Sequence, residues 1–297
     1  MLRTLALMLP TVLAIGCARC PSAKIEPVPP RDARQALQRV RDNLEVLSRI
    51  PLRTDALVTF KFRDAEGRRH SYPLQDATLI FRAPRSLRFS IKHSLAGSVA
   101  RVGSNDEKYW LWIEPEVSTM WWGAWRYVER GGRSSLPLPP NQLLDALMLR
   151  PLPDSLGDGL PPLLHMNGDD HRLLYLRLDA GGWPYVAQEV VLDCCPPYQP
   201  IELIVRRADG QVAMRSQLRN YRRLGDDGPY VARRYVIDWP LDGAELRIDF
   251  HGPRLNPDQL PFDHFPSDPP VGNIESLDSA APAGVSRLSL ESASTCI

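Results

Sequence analysis

Apolar residues recur along this chain at two different periods. Between residues 31 and 50, Ala33, Ala36, Leu37, Val40, Leu44, Leu47 and Ile50 fall three or four apart, with arginine and aspartate between them. That spacing aligns one side of an α-helix. It predicts an amphipathic helix of roughly five turns that stops before Pro51, because proline restricts the residue preceding it. Such a stripe must be covered by something. From residue 55 the period becomes two. DALVTFKFR alternates Ala56, Val58, Phe60 and Phe62 with Leu57, Thr59, Lys61 and Arg63, and RSLRFSIKH alternates Leu87, Phe89 and Ile91 with Arg88, Ser90 and Lys92. Alternation sends successive side chains to opposite faces of a strand. YPLQDATLIFR, SVARVGS, KYWLWIE, VSTMWW and WRYVER continue the pattern, with turns near Gly67 and Asn105-Asp106 and a split at Gly123. The first half therefore reads as an antiparallel meander.

PPNQLLDALML predicts a second helix over 140–149, capped by Asn141 and ended at Pro151. A second strand series follows: PLLHM, RLLYLRLD, PYVAQEVVLD, PIELIVRR, QVAMRSQL, YVARRYVIDW and ELRIDFH. The turns between them carry Gly, Asp, Asn and Pro. Periodicity fades after residue 252. Leu260, Phe262 and Phe265 suggest packing at a sheet edge, and 267–297 is rich in Pro, Ser and Ala, which predicts a disordered tail. The chain has 297 residues, 43% of them apolar, enough for one large mainly-β domain with few helices over 31–266. The 29 prolines suit strands, turns and tails better than long helices.

The N-terminus sets the expected compartment. MLRTLALMLPTVLAIGC runs apolar from Leu5 to Ile15, the length of a signal-peptide core and too short to span a bilayer. Ala14-Ile15-Gly16-Cys17 resembles the bacterial lipobox, which implies removal of residues 1–16 and lipidation of Cys17. Residues 17–30 then read as a proline-stiffened tether. The chain is expected outside the cytoplasm, anchored through a lipid to a membrane, the outer membrane facing the periplasm. Export also permits disulfides. With Cys17 acylated, Cys20, Cys194, Cys195 and Cys296 remain. Sequence does not choose among a vicinal Cys194–Cys195 bond, two thiols at these positions, and one of the two joined to Cys20 or Cys296.

Five of the seven tryptophans lie between residues 104 and 127: Trp110, Trp112, Trp121, Trp122 and Trp125. In KYWLWIE, alternation puts Tyr109, Leu111 and Ile113 on one face and Trp110 and Trp112 on the other. Both faces are apolar, so the strand is expected to be covered twice. A buried tryptophan removes about 150–250 Å² from water, worth roughly 4–6 kcal/mol gross at ~25 cal/mol per Å². Rings of that size are covered by protein, by a ligand or by a membrane interface.

The segment ATLIFRAPRSLRFSIKHSLAGSVARVGSNDEKYWLWIEP resembles the LolA/LolB superfamily of bacterial lipoprotein carriers. The resemblance is carried by Arg82, Pro84, Leu87 and Arg88, then Ser104-Asn105-Asp106, then the aromatic strand from Tyr109 to Pro115. It is specific over about 35–150 and loose to about 260. It implies a curled antiparallel sheet forming an incomplete barrel, with helices covering the concave face and an apolar cavity for acyl chains. On that reading Trp110, Trp112, Trp121, Trp122, Phe60 and Phe89 are candidate ligand-binding residues, with the helices at 31–50 and 140–149 as lid. The chain departs from the family pattern at Glu107, where glycine is usual. No protruding apolar loop of the kind LolB inserts into membranes is evident, and the tail beyond 266 has no counterpart.

Catalytic signatures are absent: there is no G-x-S-x-G, H-E-x-x-H, Walker or dinucleotide-binding pattern. His165 and His171 flank MNGDD, read first as a hairpin turn rather than a metal cluster. Asp249, His251, Asp263 and His264 read as solvated loop residues, and Arg82, Arg85 and Arg88 as strand-edge cations or a hold on an anionic head group. With 36 basic against 35 acidic residues, no charge excess points to nucleic acid. The expected protein is non-enzymatic, without cofactor or metal, with a lipid or acyl chain as ligand. The alternative is a structural or sensory envelope lipoprotein with a self-filled core and a protein partner.

Overall fold

The computed structural model describes residues 30–63, 67–93, 97–113, 118–126, 140–157, 159–167, 170–195, 197–257 and 273–278. The predicted signal peptide and tether, with Cys17, lie outside these residues, as do Leu260, Phe262 and Phe265.

The first period becomes helix α1, Ala33–Arg49. Asp32 caps it, its carboxylate accepting from the Gln35 amide at 2.8 Å, while the Gln35 side chain accepts from the Arg31 amide at 2.7 Å. The first contact satisfies a donor that the first turn leaves orphaned, and the second holds the residue just before the cap. Ala36, Leu37, Val40, Leu44 and Leu47 are buried, the stripe the sequence predicts. The chain turns extended at Ile50, before Pro51.

The second period becomes a meander of six strands: β1 Leu52–Arg63, β2 Arg69–Arg82, β3 Ser86–His93, β4 Gly97–Ser104, β5 Lys108–Ile113 and β6 Thr119–Ala124. Helix α2, Pro140–Ala146, follows. Then come β7 Leu163–Asn167, β8 Asp170–Leu178, β9 Pro184–Leu192, β10 Pro200–Arg206 and β11 Val212–Arg219. A two-stranded ribbon, β12 Arg222–Arg223 and β13 Tyr230–Val231, precedes β14 Arg234–Trp239, β15 Ala244–Leu255 and β16 Asn273–Ser276.

Fourteen strands form one sheet in the order β16-β6-β5-β4-β3-β2-β1-β15-β14-β11-β10-β9-β8-β7. The two halves are joined where β15 returns to pair with β1, Ala56 opposite Phe250 and Val58 opposite Ile248. The sheet is antiparallel throughout except at β16, which runs parallel to β6. That edge strand lies within the segment expected to be a disordered tail. Its ladder, with the Asp278 carboxylate accepting from the Ala124 amide at 3.0 Å, fixes residues 273–278 there instead.

The sheet curls. Strands β4, β3, β2, β1, β15 and β14 separate β5 from β11, yet α2 touches both. Leu143 of α2 shares a void with Leu111 and Ile113 of β5, and the buried Ser216 hydroxyl of β11 donates to the Ala146 carbonyl at 2.7 Å. One short helix reaches both strands only across a concave sheet. The alternate inward residues of β1–β5, β8–β11, β14 and β15 join α1 and α2 in a single apolar core. The barrel stays open, since β16 and β7 are its two edges.

Candidate binding cavities

Two hollows meet at one tryptophan. The inner one lies between the concave face and α2. Its ten lining residues are all apolar and include Phe60, Phe89, Ile113, Leu143, Trp239 and Leu246. It encloses about 40 Å³, room for little more than a methyl group or a water, and an apolar void of this kind stays dry. The second lies at the rim, between the β1–β2 hairpin and the β14–β15 hairpin, and holds about 670 Å³. Cavities of roughly 300–1,000 Å³ are the usual size of small-molecule sites. Phe62, Val212, Trp239, Pro240 and Ala244 give it apolar walls, and Lys61, Arg63, Arg69, Arg215, Asp238 and Glu245 give it a charged border.

Local structure explains this division. Phe62 ends the inward series of β1 and is 7% exposed. It stacks with His70 at 4.8 Å between centroids, while Phe60 stacks on Tyr72 at 4.5 Å, so rings join β1 to β2 at the cavity wall. Trp239 ends β14, is 2% exposed and lines both hollows. Its indole N–H donates to the Gln142 side-chain oxygen of α2 at 2.8 Å. A buried indole needs such an acceptor, and this one ties the partition to the helical cover. Burial, and then the nearby Glu245 carboxylate, pushes the Asp238 carboxyl above its ordinary range. Deeper in the core, burial and then Asp278 push the Tyr109 hydroxyl up to about 12.

The six candidate ligand-binding residues do not share one lining. Phe60 and Phe89 face the inner void. Trp121 is half-buried against the main core, its indole N–H donating to the Glu275 carboxylate of β16 at 2.8 Å. Trp110 and Trp112 form a separate cluster with Met120 and Trp122, on the opposite face from Tyr109, Leu111 and Ile113. Register builds that cluster: Trp110 faces Trp122 and Trp112 faces Met120 across β5 and β6. A Cβ on Gly103 would collide with the Trp110 ring, so glycine admits the indole flat against β4. The Arg101 guanidinium lies 5.0 Å above the Trp112 ring and the Lys108 ammonium 5.0 Å above Trp122. The double covering expected for this strand is therefore an aromatic layer on the convex side, and these three indoles do not line the hollow beneath the helices. Trp125 belongs to the main core and lies beneath Arg85 and Arg150.

Cys195 is disulfide-bonded and Cys194 is not, their sulfurs 3.7 Å apart, so there is no vicinal bond. Among the described residues, the group with metal-ligand spacing is Asp193, Cys194 and Cys195. The disulfide leaves Cys195 no thiolate to offer. His165 is exposed while His171, one strand away, is buried. The Asp249 carboxylate accepts from Arg234 at 2.7 Å; Asp263 and His264 lie outside the described residues. Arg85 packs over Trp125 while Arg88, its charged form disfavoured by burial and then by Arg101 and Arg53, alternates to the convex face. Sequence reasoning missed the rim cavity, whose residues come from hairpins far apart in the chain. The one local signal was Arg63 and Arg69, like charges on either side of a turn.

No protein-family model matches the chain, and no curated protein matches it. Among solved structures, a DUF1329 family protein from Desulfovibrio piger is 10% identical with a TM-score of 0.49, covering 78% of this chain and 95% of its own. A domain from Vibrio parahaemolyticus, described as belonging to an outer membrane lipoprotein-sorting protein, is 12% identical with a TM-score of 0.42, covering 76% and 94%. A LolA superfamily protein from Nitrosomonas europaea is 9% identical with a TM-score of 0.42, covering 74% and 93%. These are likenesses of architecture, and at such scores they carry no argument about what the chain binds.

Proposed function

We propose that this is an exported, lipid-anchored, non-catalytic protein that binds the acyl chain of an amphiphile at the mouth of its curled sheet. One observation carries the reading: a rim cavity of about 670 Å³ with apolar walls, which meets the apolar inner void at Trp239. Each methylene withdrawn from water there contributes about 0.8 kcal/mol, so a chain of modest length is held without any reaction. We place the anchor at Cys17, where attachment of more than one acyl chain would hold the cavity near a membrane surface. Phe60 and Phe89 are the inner contacts of a chain that passes Trp239.

Native mass spectrometry of the mature protein, expressed with its own N-terminus, tests this directly. The expected spectrum shows the added mass of acylation on a chain beginning at Cys17, and a second, dissociable lipid mass. A lipid-free protein that also takes up no apolar fluorescent probe would overturn the carrier reading.

The small inner void favours one other reading. At about 40 Å³ the space beneath α2 is nearly filled by the protein's own side chains, as expected for a structural or sensory envelope lipoprotein. Affinity capture from envelope extracts would then recover a protein partner, with no lipid in the complex.

A further inference from the structure

Six charged side chains border the rim cavity, and most of them are already neutralised. Lys61 pairs with Glu245 at 3.6 Å, and Glu245 also accepts from Arg247 at 2.9 Å. Arg215 pairs with Glu202 at 3.4 Å and sits directly opposite Asp238 in the ladder. His70 is stacked on Phe62. Arg63 and Arg69 are different. They are Cα partners across β1 and β2, both exposed, both lining the cavity, and among the described residues neither is in an ion pair. Like charges directly opposite one another destabilise a sheet, so their placement works against the hairpin that carries them. Arg63 also reaches across the opening: a Cβ on Gly243, in the facing β14–β15 turn, would lie 3.2 Å from its Nε. The glycine leaves room for a guanidinium at the cavity wall.

We propose that Arg63 and Arg69 form an anion clamp at this mouth, so that the amphiphile taken up carries a phosphate or carboxylate head group. The inference rests on the acyl-binding reading and adds the head-group class to it. Guanidinium groups match the geometry of carboxylate and phosphate oxygens through paired N–H donors. An anion between the two arginines turns their mutual repulsion into two attractions. The apolar tail then lies along Phe62, Val212 and Trp239, below the charged border.

The test compares dodecyl phosphate, dodecyl maltoside and inorganic phosphate by isothermal titration on the full mature protein, each detergent below its critical micelle concentration. The two detergents share a tail and differ in head charge. The parent is expected to bind dodecyl phosphate at least about tenfold more tightly than dodecyl maltoside, the scale of one charge-assisted hydrogen bond. R63Q/R69Q is expected to bind both equally, with its maltoside affinity unchanged and its melting temperature no lower than the parent's. Equal binding of both detergents by the parent overturns the clamp and leaves the acyl reading standing. Binding of neither overturns both. Inorganic phosphate binding as tightly as dodecyl phosphate also overturns the proposal, because the ligand is then a free anion. A preference that survives R63Q/R69Q removes these two arginines from the site. Should that variant fail to fold, R63Q and R69Q are compared singly with the parent, and a preference that both keep in full overturns the clamp.

Discussion

Trp239→Ala tests whether this residue divides the two hollows. The side chain is 2% exposed, lines both cavities and donates to Gln142 at 2.8 Å. Truncating a buried tryptophan costs about 3–5 kcal/mol, from lost transfer free energy and the cavity left behind. For a chain of this size about 2–4 °C of melting temperature is lost per kcal/mol, so a drop of roughly 6–20 °C is expected. Trp239→Phe keeps most of the ring but removes the donor, leaving the Gln142 oxygen unpaired at about 1–3 kcal/mol. In W239F/Q142L both partners are gone, so the double variant should be destabilised by less than the sum of the singles. Binding should move the other way from stability. Removing the indole opens the rim cavity into the inner void, so W239A is expected to bind an apolar probe such as N-phenylnaphthylamine more strongly. The assay pairs denaturant unfolding with probe titration at a temperature where W239A is folded. A folded W239A whose probe affinity equals or falls below the parent's would refute the idea of a partition.

Other perturbations read separate parts of the structure. Gly103→Ala drives a Cβ into the Trp110 ring, so a loss of about 1–3 kcal/mol from overpacking is expected, with a changed near-ultraviolet circular dichroism of the convex indoles; an unchanged spectrum and stability would contradict the packing described. Glu189 is buried yet held below the ordinary carboxyl range, because hydrogen bonds from Arg206 at 2.8 Å and Arg172 at 2.9 Å outweigh its desolvation. A lowered folded value means stabilisation present above the unfolded pKa of about 4.3 and lost as pH falls through the folded value. Glu189→Gln should therefore cost about 1–3 kcal/mol at neutral pH, and the gap to the parent should close in acid; a gap that is the same at both ends of a pH series of urea melts would refute the linkage. Asp32→Ala removes the cap of α1 and should cost about 0.5–2 kcal/mol in denaturant unfolding, while Asp32→Asn should cost much less.

Local signals in the sequence specify local structure here, and long-range pairings account for what they miss. The three- and four-residue spacing from Ala33 to Leu47, closed by Asp32 and Pro51, specifies α1 almost to the residue. Alternation in 56–62 and 87–91 identifies the inward residues of β1 and β3 correctly. In KYWLWI the same alternation separates two faces but does not say which is concave, because both carry large apolar groups. The pairing of Trp110 with Trp122 and of Trp112 with Met120 decides that, and it depends on strand register. The rim cavity is built from residues near 62, 70, 212, 239 and 244. They meet because β15 returns to β1, a closure that no local period encodes. Edge strand β16 was illegible for the same reason: NIES has little pattern of its own and takes its order from β6.

On the acyl-binding proposal, the two hollows also set how far a bound chain would penetrate. The rim cavity is open and needs no rearrangement, whereas the inner void of about 40 Å³ admits a chain only if α2 yields. Leu143, Leu144 and Leu147 are buried there, each 5% exposed or less. Taking three such side chains out of the core costs about 1.5–3 kcal/mol each, roughly 5–9 together, before the Ser216 and Gln142 hydrogen bonds are counted. Against this, each entering methylene gains about 0.8 kcal/mol, so roughly six to eleven of them must enter beyond Trp239 to offset a displaced helix. On the proposed reading, short chains are therefore expected to stay at the rim, beside its arginines. Longer ones are expected to lift α2, which is attached to both β5 and β11. If both proposals hold, tail length is read by the position of α2 and head-group charge by Arg63 and Arg69, through different residues.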